Sequence, residues 1–237
     1  NEASPTIDTT SLTGSIQENA NTNTVIYDVS ASDADITDIL TYSVSGTDAS
    51  LVTIDSDDGE VRLKSSANFE AKNSYSFNVI ASDPDGSSDT EAVTVSIKNV
   101  NEMPSITSSA TVTAAENQAN SSVLYTATAT DVDSGDNLTF SISGADSSYF
   151  TIDADDGEVR LKASADYETK SSYDFTVIAT DDGLGTLSGS KAVVLNISNV
   201  NDNPVLKEII PTLFLYENTS KNLVLNQFFT DPDDDNL

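Results

Sequence analysis

Residues 54–83 read IDSDDGEVRLKSSANFEAKNSYSFNVIASD, and residues 152–181 read IDADDGEVRLKASADYETKSSYDFTVIATD. The two stretches agree at 21 of 30 positions with a constant offset of 98. Self-similarity at a fixed period is the mark of a tandem array built from one module. The edges echo one another too: Asn1-Glu2-Ala3-Ser4-Pro5, Asn101-Glu102-Met103-Pro104 and Asn201-Asp202-Asn203-Pro204 stand about 100 residues apart. These edges give modules at 1–103 and 104–203, with 204–237 opening a third.

Inside each module the apolar residues alternate with polar ones. Val25 to Val29, Leu40 to Val44, Tyr75 to Val79 and Ala92 to Ile97 do so in the first. Val123 to Ala129, Leu138 to Ile142, Tyr173 to Val177 and Ala192 to Ile197 repeat it in the second. A period of two in Val, Ile, Thr and Tyr predicts half-buried strands. Turn-forming clusters recur every roughly 8 to 12 residues, the spacing of a sandwich with about seven strands. Helix is expected only as isolated turns. Asp57-Asp58-Gly59-Glu60 and Asp155-Asp156-Gly157-Glu158 are read as hairpin turns rather than metal loops, because Gly accepts positive φ and Asp stabilises the turn.

Composition narrows the function. The 37% apolar residues, with 8 Tyr and 8 Phe, support a core in each module and argue against a disordered acidic tail. With 39 acidic residues against 10 basic ones, the net charge of −29 repels nucleic acid and anionic membrane surfaces. Cys and His are both absent, which excludes disulfides, Cys/His zinc sites and any catalytic dyad that uses His. No apolar run is long enough for a membrane span, and the N-terminus has no signal-peptide pattern. The chain reads as a segment of a longer protein. Asn-x-Ser/Thr sequons at Asn120, Asn137, Asn196 and Asn218 are the matches expected by chance in so Ser/Thr/Asn-rich a chain.

The carboxylates recur at fixed places. Glu18-Asn19, Glu116-Asn117 and Glu217-Asn218 precede the second strand; Asp33/Asp35, Asp131/Asp133 and Asp231/Asp233 follow it. Asn68-Phe69-Glu70 and Asp166-Tyr167-Glu168 come after the hairpin, and Asp83 and Asp181 close the next strand. Solubility alone would not place acids at the same strand ends in every module. Oxygen-only donors suit Ca²⁺ better than zinc or copper.

This constellation resembles the cadherin repeat, in register over residues 1 to about 205. The resemblance implies an all-β fold: tandem seven-stranded Greek-key, immunoglobulin-like β-sandwiches arranged as a rod. It implies up to three Ca²⁺ at each complete junction. The first junction would draw on Glu18, Glu70 and Glu102 with Asp131, Asp133 and Asp181, backbone carbonyls near Val100, Asn101 and Asn137 completing the shells. The second would draw on Glu116, Asp166, Glu168, Asp202 and Asn203, with Asn201 through its backbone, together with Asp231 and Asp233. Glu2, Asp33, Asp35 and Asp83 would serve a junction to a preceding repeat. Each complete junction collects six carboxylates, matching the charge of three Ca²⁺. Asn68, Glu102 and Met103 depart from the family pattern, so the first junction is expected to hold calcium more weakly, with fewer ions. Residues 228–237, FFTDPDDDNL, look like the opening of a dystroglycan-type cadherin-like domain; an EF-hand is disfavoured because Asn236 stands where that loop needs Gly.

The expected role is a calcium-rigidified spacer or adhesion module of an extracellular or cell-surface protein, in the style of bacterial repeat adhesins. Its partners would be neighbouring repeats, and other surface proteins or polysaccharide. The chain has no Trp, so the Trp-anchored strand exchange of classical cadherins is unsupported. Direct polysaccharide binding is the alternative, but it wants aromatic platforms, and Tyr27, Tyr42, Tyr75, Phe77, Tyr125 and Tyr173 sit in strand alternation and are expected to fill the core; alternation does not assign Tyr149, Phe150 and Tyr216. Catalysis is not expected, because every acidic pair belongs to a repeating edge motif rather than to one unique cleft.

Overall fold

The computed structural model describes residues 3–211, 217, 220–222 and 224–233. They form two units, Asn1–Asn101 and Glu102–Leu237. The first runs β1 (Thr6–Ile7), β2 (Thr13–Gln17), β3 (Val25–Asp28), β4 (Ala31–Ser32), β5 (Thr41–Ser45), β6 (Val52–Ile54), β7 (Glu60–Leu63), β8 (Ser74–Ser82) and β9 (Ser88–Lys98). One sheet has the order β2-β9-β8-β5; the other is β3-β7-β6, extended by the pair β1-β4. All pairings are antiparallel except β2 with β9, where the first and last long segments of the unit run side by side. Since β1 and β2 are one edge strand that changes sheets, and β3 and β4 one interrupted strand, the unit is a seven-stranded sandwich.

The second unit repeats the plan as β10 (Ser105–Ile106), β11 (Thr111–Ala115), β12 (Tyr125–Thr126), β13 (Ala129–Thr130), β14 (Thr139–Ser143), β15 (Phe150–Ile152), β16 (Glu158–Leu161), β17 (Ser172–Thr180) and β18 (Ser188–Ser198). Its sheets are β11-β18-β17-β14 and β12-β16-β15, with β10 on β13. Beyond them, β19 (Val205–Leu206) pairs with β20 (Phe229–Thr230). Helix among the described residues is limited to 3₁₀ turns at Ala49–Leu51, Ser147–Tyr149 and Leu225–Gln227, and no helix is long and apolar enough to cross a membrane.

Alternation becomes burial directly. In β8 the side chains of Tyr75, Phe77, Val79 and Ala81 are all buried, while the intervening residues are exposed or half-buried. In β17 the same holds for Tyr173, Phe175, Val177 and Ala179. Buried tyrosines need partners for their hydroxyls: Tyr27 donates to the Ser11 carbonyl at 2.9 Å and Tyr125 to that of Ser109 at 2.7 Å.

The expected continuous strand from Val123 to Ala129 is broken between β12 and β13. The hairpin turn at Gly157 presses on that break: its carbonyl accepts the Ala127 N–H at 2.8 Å. A Cβ on Gly157 would lie 2.4 Å from the Ala127 carbonyl oxygen. Backbone bonding to a turn replaces the ladder there, so local alternation alone does not reveal the interruption. The turn carboxylates are used locally, as Asp153 Oδ1 accepts the Asp155 N–H at 3.0 Å and Asp58 Oδ1 that of Glu60 at 3.0 Å.

Candidate metal centres

At the end of β11 the chain must leave the sheet, and Asn117 makes the turn with φ +61. Asn tolerates the left-handed region better than other side-chain-bearing residues; Asn19 repeats it in the first unit with φ +58. The turn leaves Glu116 pointing inward, 3% exposed. Its Oε2 accepts the Tyr167 N–H and its Oε1 the Val200 N–H, both at 2.8 Å. Glu18, 2% exposed, does the same with Phe69 at 2.8 Å and Val100 at 2.9 Å. One buried carboxylate thus ties the loop after the hairpin to the linker that leaves the unit.

Burying an ion costs several kcal/mol even after relaxation. Two hydrogen bonds to a charged group return roughly 1.5–3 kcal/mol each, enough to hold Glu116 but leaving little to offset further negative charge. Yet more is present. Carboxylate oxygens of Glu116, Glu168 and Asp202 lie within 4.8 Å of one another. Partial withdrawal from water, followed by the charges of Glu116, Asp233 and Asp166, raises the Glu168 carboxyl above its ordinary value. Asp202 donates its N–H to Asp233 Oδ2 at 2.5 Å and accepts Asn117 Nδ2 on Oδ1 at 2.8 Å. Asp233 Oδ1 is buried without a hydrogen-bond partner, and the Asp233 N–H donates to Asp231 Oδ1 at 3.1 Å. The ion pairs of the described residues use Glu60, Asp48, Glu158 and Asp146 instead. A hard cation is the natural complement to this oxygen set.

The opposite edge of the second unit carries another group. Oxygens of Asp131, Asp133 and Asp136 lie within 4.8 Å of one another. Asp133 is 6% exposed and accepts the Glu102 N–H on Oδ2 at 2.8 Å, while its own N–H donates to Asp131 Oδ1 at 3.0 Å. Asp131 Oδ2 and Asp136 Oδ2 are buried without hydrogen-bond partners. Desolvation and then Asp133, Asp182, Asp181 and Asp131 push the Asp136 carboxyl up. Asp181 is buried beside them and accepts the N–H groups of Gly183 and Leu187.

The first unit mirrors this with Asp33, Asp35 and Asp38, whose oxygens also lie within 4.8 Å of one another. Ala3 donates to Asp35 Oδ2 at 2.8 Å, Asp33 Oδ2 is buried and unpartnered, and desolvation with Asp35 and its acidic neighbours raises the Asp38 carboxyl. Asp83 accepts from Gly86 and Ser87. Glu18 and Glu70 bring oxygens within 4.8 Å of each other.

Asp38 and Asp136 are the residues the sequence reading missed. The signal was present, as both sit three residues beyond the Asp-x-Asp pair. Other expected ligands are engaged otherwise. Both Asp166 oxygens accept from Thr169, at 2.9 Å each, while Asn68 at the matching place accepts the Ala71 N–H. Asn137 donates its N–H and Nδ2 to Asp182 at 2.7 and 2.9 Å, which holds the Asp182 carboxyl below its ordinary value. Asn101 is half-buried; Asn203 and Asn201 are exposed, Asn201 donating to the Asp202 carbonyl. Glu2, Asn218, Tyr216 and 234–237, the last four residues of the dystroglycan-like segment, lie outside the described residues.

The family model of the cadherin domain matches twice, at residues 12–98 and 110–198. The chain belongs to the cadherin family. It is 30% identical over 241 residues to human protocadherin Fat 4, and 29% over 209 residues to human cadherin EGF LAG seven-pass G-type receptor 2. These matches cover 97% and 86% of this chain but 5% and 7% of those proteins, so this cadherin chain spans a small fraction of its curated relatives. Mouse cadherin-23 EC22-24 superposes with a TM-score of 0.64 at 25% identity, covering 87% of this chain and 71% of that one. Human protocadherin-24 EC1-2 superposes with a TM-score of 0.67 at 24% identity, covering 86% and 100%. These relatives are human and mouse proteins, so the expected bacterial-adhesin style finds no support in them. Cadherin domains are extracellular adhesion modules that bind Ca²⁺, and no catalytic family is indicated.

Proposed function

We propose that this cadherin chain is a calcium-stiffened spacer and adhesion segment of a larger extracellular protein, its modules lying at 1–103 and 104–203 with a third opening at 204–237. Ca²⁺ at the end of the second module would be held by Glu116, Glu168 and Asp202 with Asp231 and Asp233; Asp166 and Asn203 are further donors, and Asn201 contributes its carbonyl. The equivalent ligands at the end of the first module would be Glu18, Glu70 and Glu102, joined by Asp131, Asp133, Asp136 and Asp181 and by carbonyls at Asn101 and Asn137. Asp33, Asp35, Asp38 and Asp83, with Glu2, would serve a preceding module.

The observation that carries this reading is the Glu116–Glu168–Asp202 group, drawn together with Asp233 Oδ1 buried and unpartnered beside it. Such a set is electrostatically unfavourable alone and matched by a divalent cation. Calcium calorimetry tests it. The wild-type chain should bind several Ca²⁺, and Glu116→Ala/Asp166→Ala/Glu168→Ala should lose only the ions of the second junction. Absence of calcium binding at millimolar concentration would refute it.

A further inference from the structure

A cavity of about 290 Å³ opens on the surface of the second unit. One wall is Tyr149, 49% exposed. Its ring meets Tyr173 edge-on, with centroids 5.4 Å apart and planes at 70°. The Lys170 ammonium lies 5.8 Å from the Tyr149 ring centre and 5.1 Å from that of Tyr173, and is fixed by Asp146 at 3.2 Å. Tyr149 is therefore a held aromatic surface rather than a loose side chain. Around it stand polar groups of both senses: Lys162, which donates to the Ser148 carbonyl at 2.8 Å, Ser164, and Thr169, whose hydroxyl is oriented by Asp166 at 2.9 Å.

The first unit separates scaffold from site. There Lys64 donates to the Ser50 carbonyl at 2.8 Å, Lys72 pairs with Asp48 at 3.1 Å, and Lys72 lies 5.4 Å from the Tyr75 ring centre. The lysine–aspartate–tyrosine frame is thus common to both units and belongs to the sandwich. Offset by 98, Tyr149 is replaced by Leu51, Thr169 by Ala71 and Asp166 by Asn68. What the second unit adds to the frame is an exposed aromatic ring and an oriented hydroxyl.

We propose that this cavity binds one pyranose ring of a neutral polysaccharide. A pyranose presents an apolar C–H face to an aromatic ring and hydroxyls at its edge, which is the division of surface found here. The net charge of −29 disfavours anionic glycans by long-range repulsion. The cavity holds a sugar ring rather than a folded partner. This inference rests on the Tyr149 wall, which needs no ion; Asp166, which orients the Thr169 hydroxyl, is the one residue shared with the calcium reading.

The test uses the whole chain in calcium-containing buffer against an array of short neutral gluco-, manno- and galacto-oligosaccharides, with binding then measured by calorimetry. Binding of at least one neutral oligosaccharide is expected. Tyr149→Leu, which installs the residue the first unit carries, should weaken it at least about tenfold. Thr169→Ala should weaken it several-fold, and Leu51→Ala should leave it unchanged. Circular dichroism of each variant should match the parent. The proposal is overturned if no neutral oligosaccharide binds, if Tyr149→Leu binds as the wild type does, or if only anionic glycans or peptides are retained. Calcium titration of Tyr149→Leu should be unaltered, so loss of sugar binding and loss of calcium binding are separable results.

Discussion

The backbone N–H of Asp202 donates to Oδ2 of Asp233, 31 residues further along the chain. Glu102 stands in the same relation to Asp133, and Ala3 to Asp35. In each case the second Asp of an Asp-x-Asp turn clamps the linker backbone with one oxygen, and its own N–H is held by the first Asp. The linker backbone is thereby held by protein groups alone, and the other oxygen of Asp233, Oδ1, is buried without a hydrogen-bond partner, where the proposed calcium reading would set a cation. Such preorganisation lowers the ordering cost that binding must meet.

Glu168 and Glu116 should separate affinity from stability. Glu168 is exposed, and its carboxyl is raised by desolvation and by neighbouring anions. Glu168→Gln should therefore raise the melting temperature of the metal-free protein slightly, yet lower calcium affinity at least about tenfold. Differential scanning calorimetry with and without calcium should show the order of the two proteins reversing.

Glu116→Gln should behave differently. A glutamine can accept only one of the Tyr167 and Val200 N–H groups, and it sets an amide donor against the other. The loss should be roughly 1.5–3 kcal/mol even without calcium, read as a lower urea midpoint at unchanged slope.

Acid should first help and then harm the metal-free chain. The Asp38, Asp136 and Glu168 carboxyls are raised, so their contribution is fully present below their unfolded values and is lost as pH rises through the folded ones. Asp48 is lowered by the Ser76 N–H and Lys72, and Asp146 by the Asp174 N–H and Lys170. Their contribution is present above the unfolded value and lost as pH falls through the folded one. Melting temperature in chelator should therefore rise as pH drops from neutral toward the carboxylate range and fall below it. Calcium should flatten the upper limb.

Gly157→Ala should cost roughly 1–3 kcal/mol, because φ is +69 and the new Cβ would meet the Ala127 carbonyl. Gly185→Ala, at φ +96 with nothing within 4 Å, should cost less. Chemical denaturation of the two variants checks the difference.

Much of this architecture was legible because alternation and burial are the same statement for a sandwich, as Tyr75, Phe77 and Val79 show. The broken strand at Ala127 was not, since it depends on a hairpin 30 residues away reaching back to bond it. Repetition exposed the Glu-Asn and Asp-x-Asp positions but hid why Asn follows Glu, which is a left-handed backbone at Asn19 and Asn117. Asp38 and Asp136 lie three residues beyond their Asp-x-Asp pairs, and only the fold of the loop brings this third carboxylate to each pair. Tyr149 and Phe150 were left unassigned by sequence, because Tyr149 lies in a 3₁₀ turn where period two no longer assigns a face; the structure buries Phe150 and exposes Tyr149.

Small-angle X-ray scattering of the whole chain, first in calcium and then in excess chelator, tests the central claim most directly. A stiff, elongated profile that becomes that of a flexible chain on chelation is predicted, with circular dichroism showing the sheets intact in both. A profile unchanged by chelation, in a protein that does bind calcium, would contradict the claim that the ions set the geometry of the array.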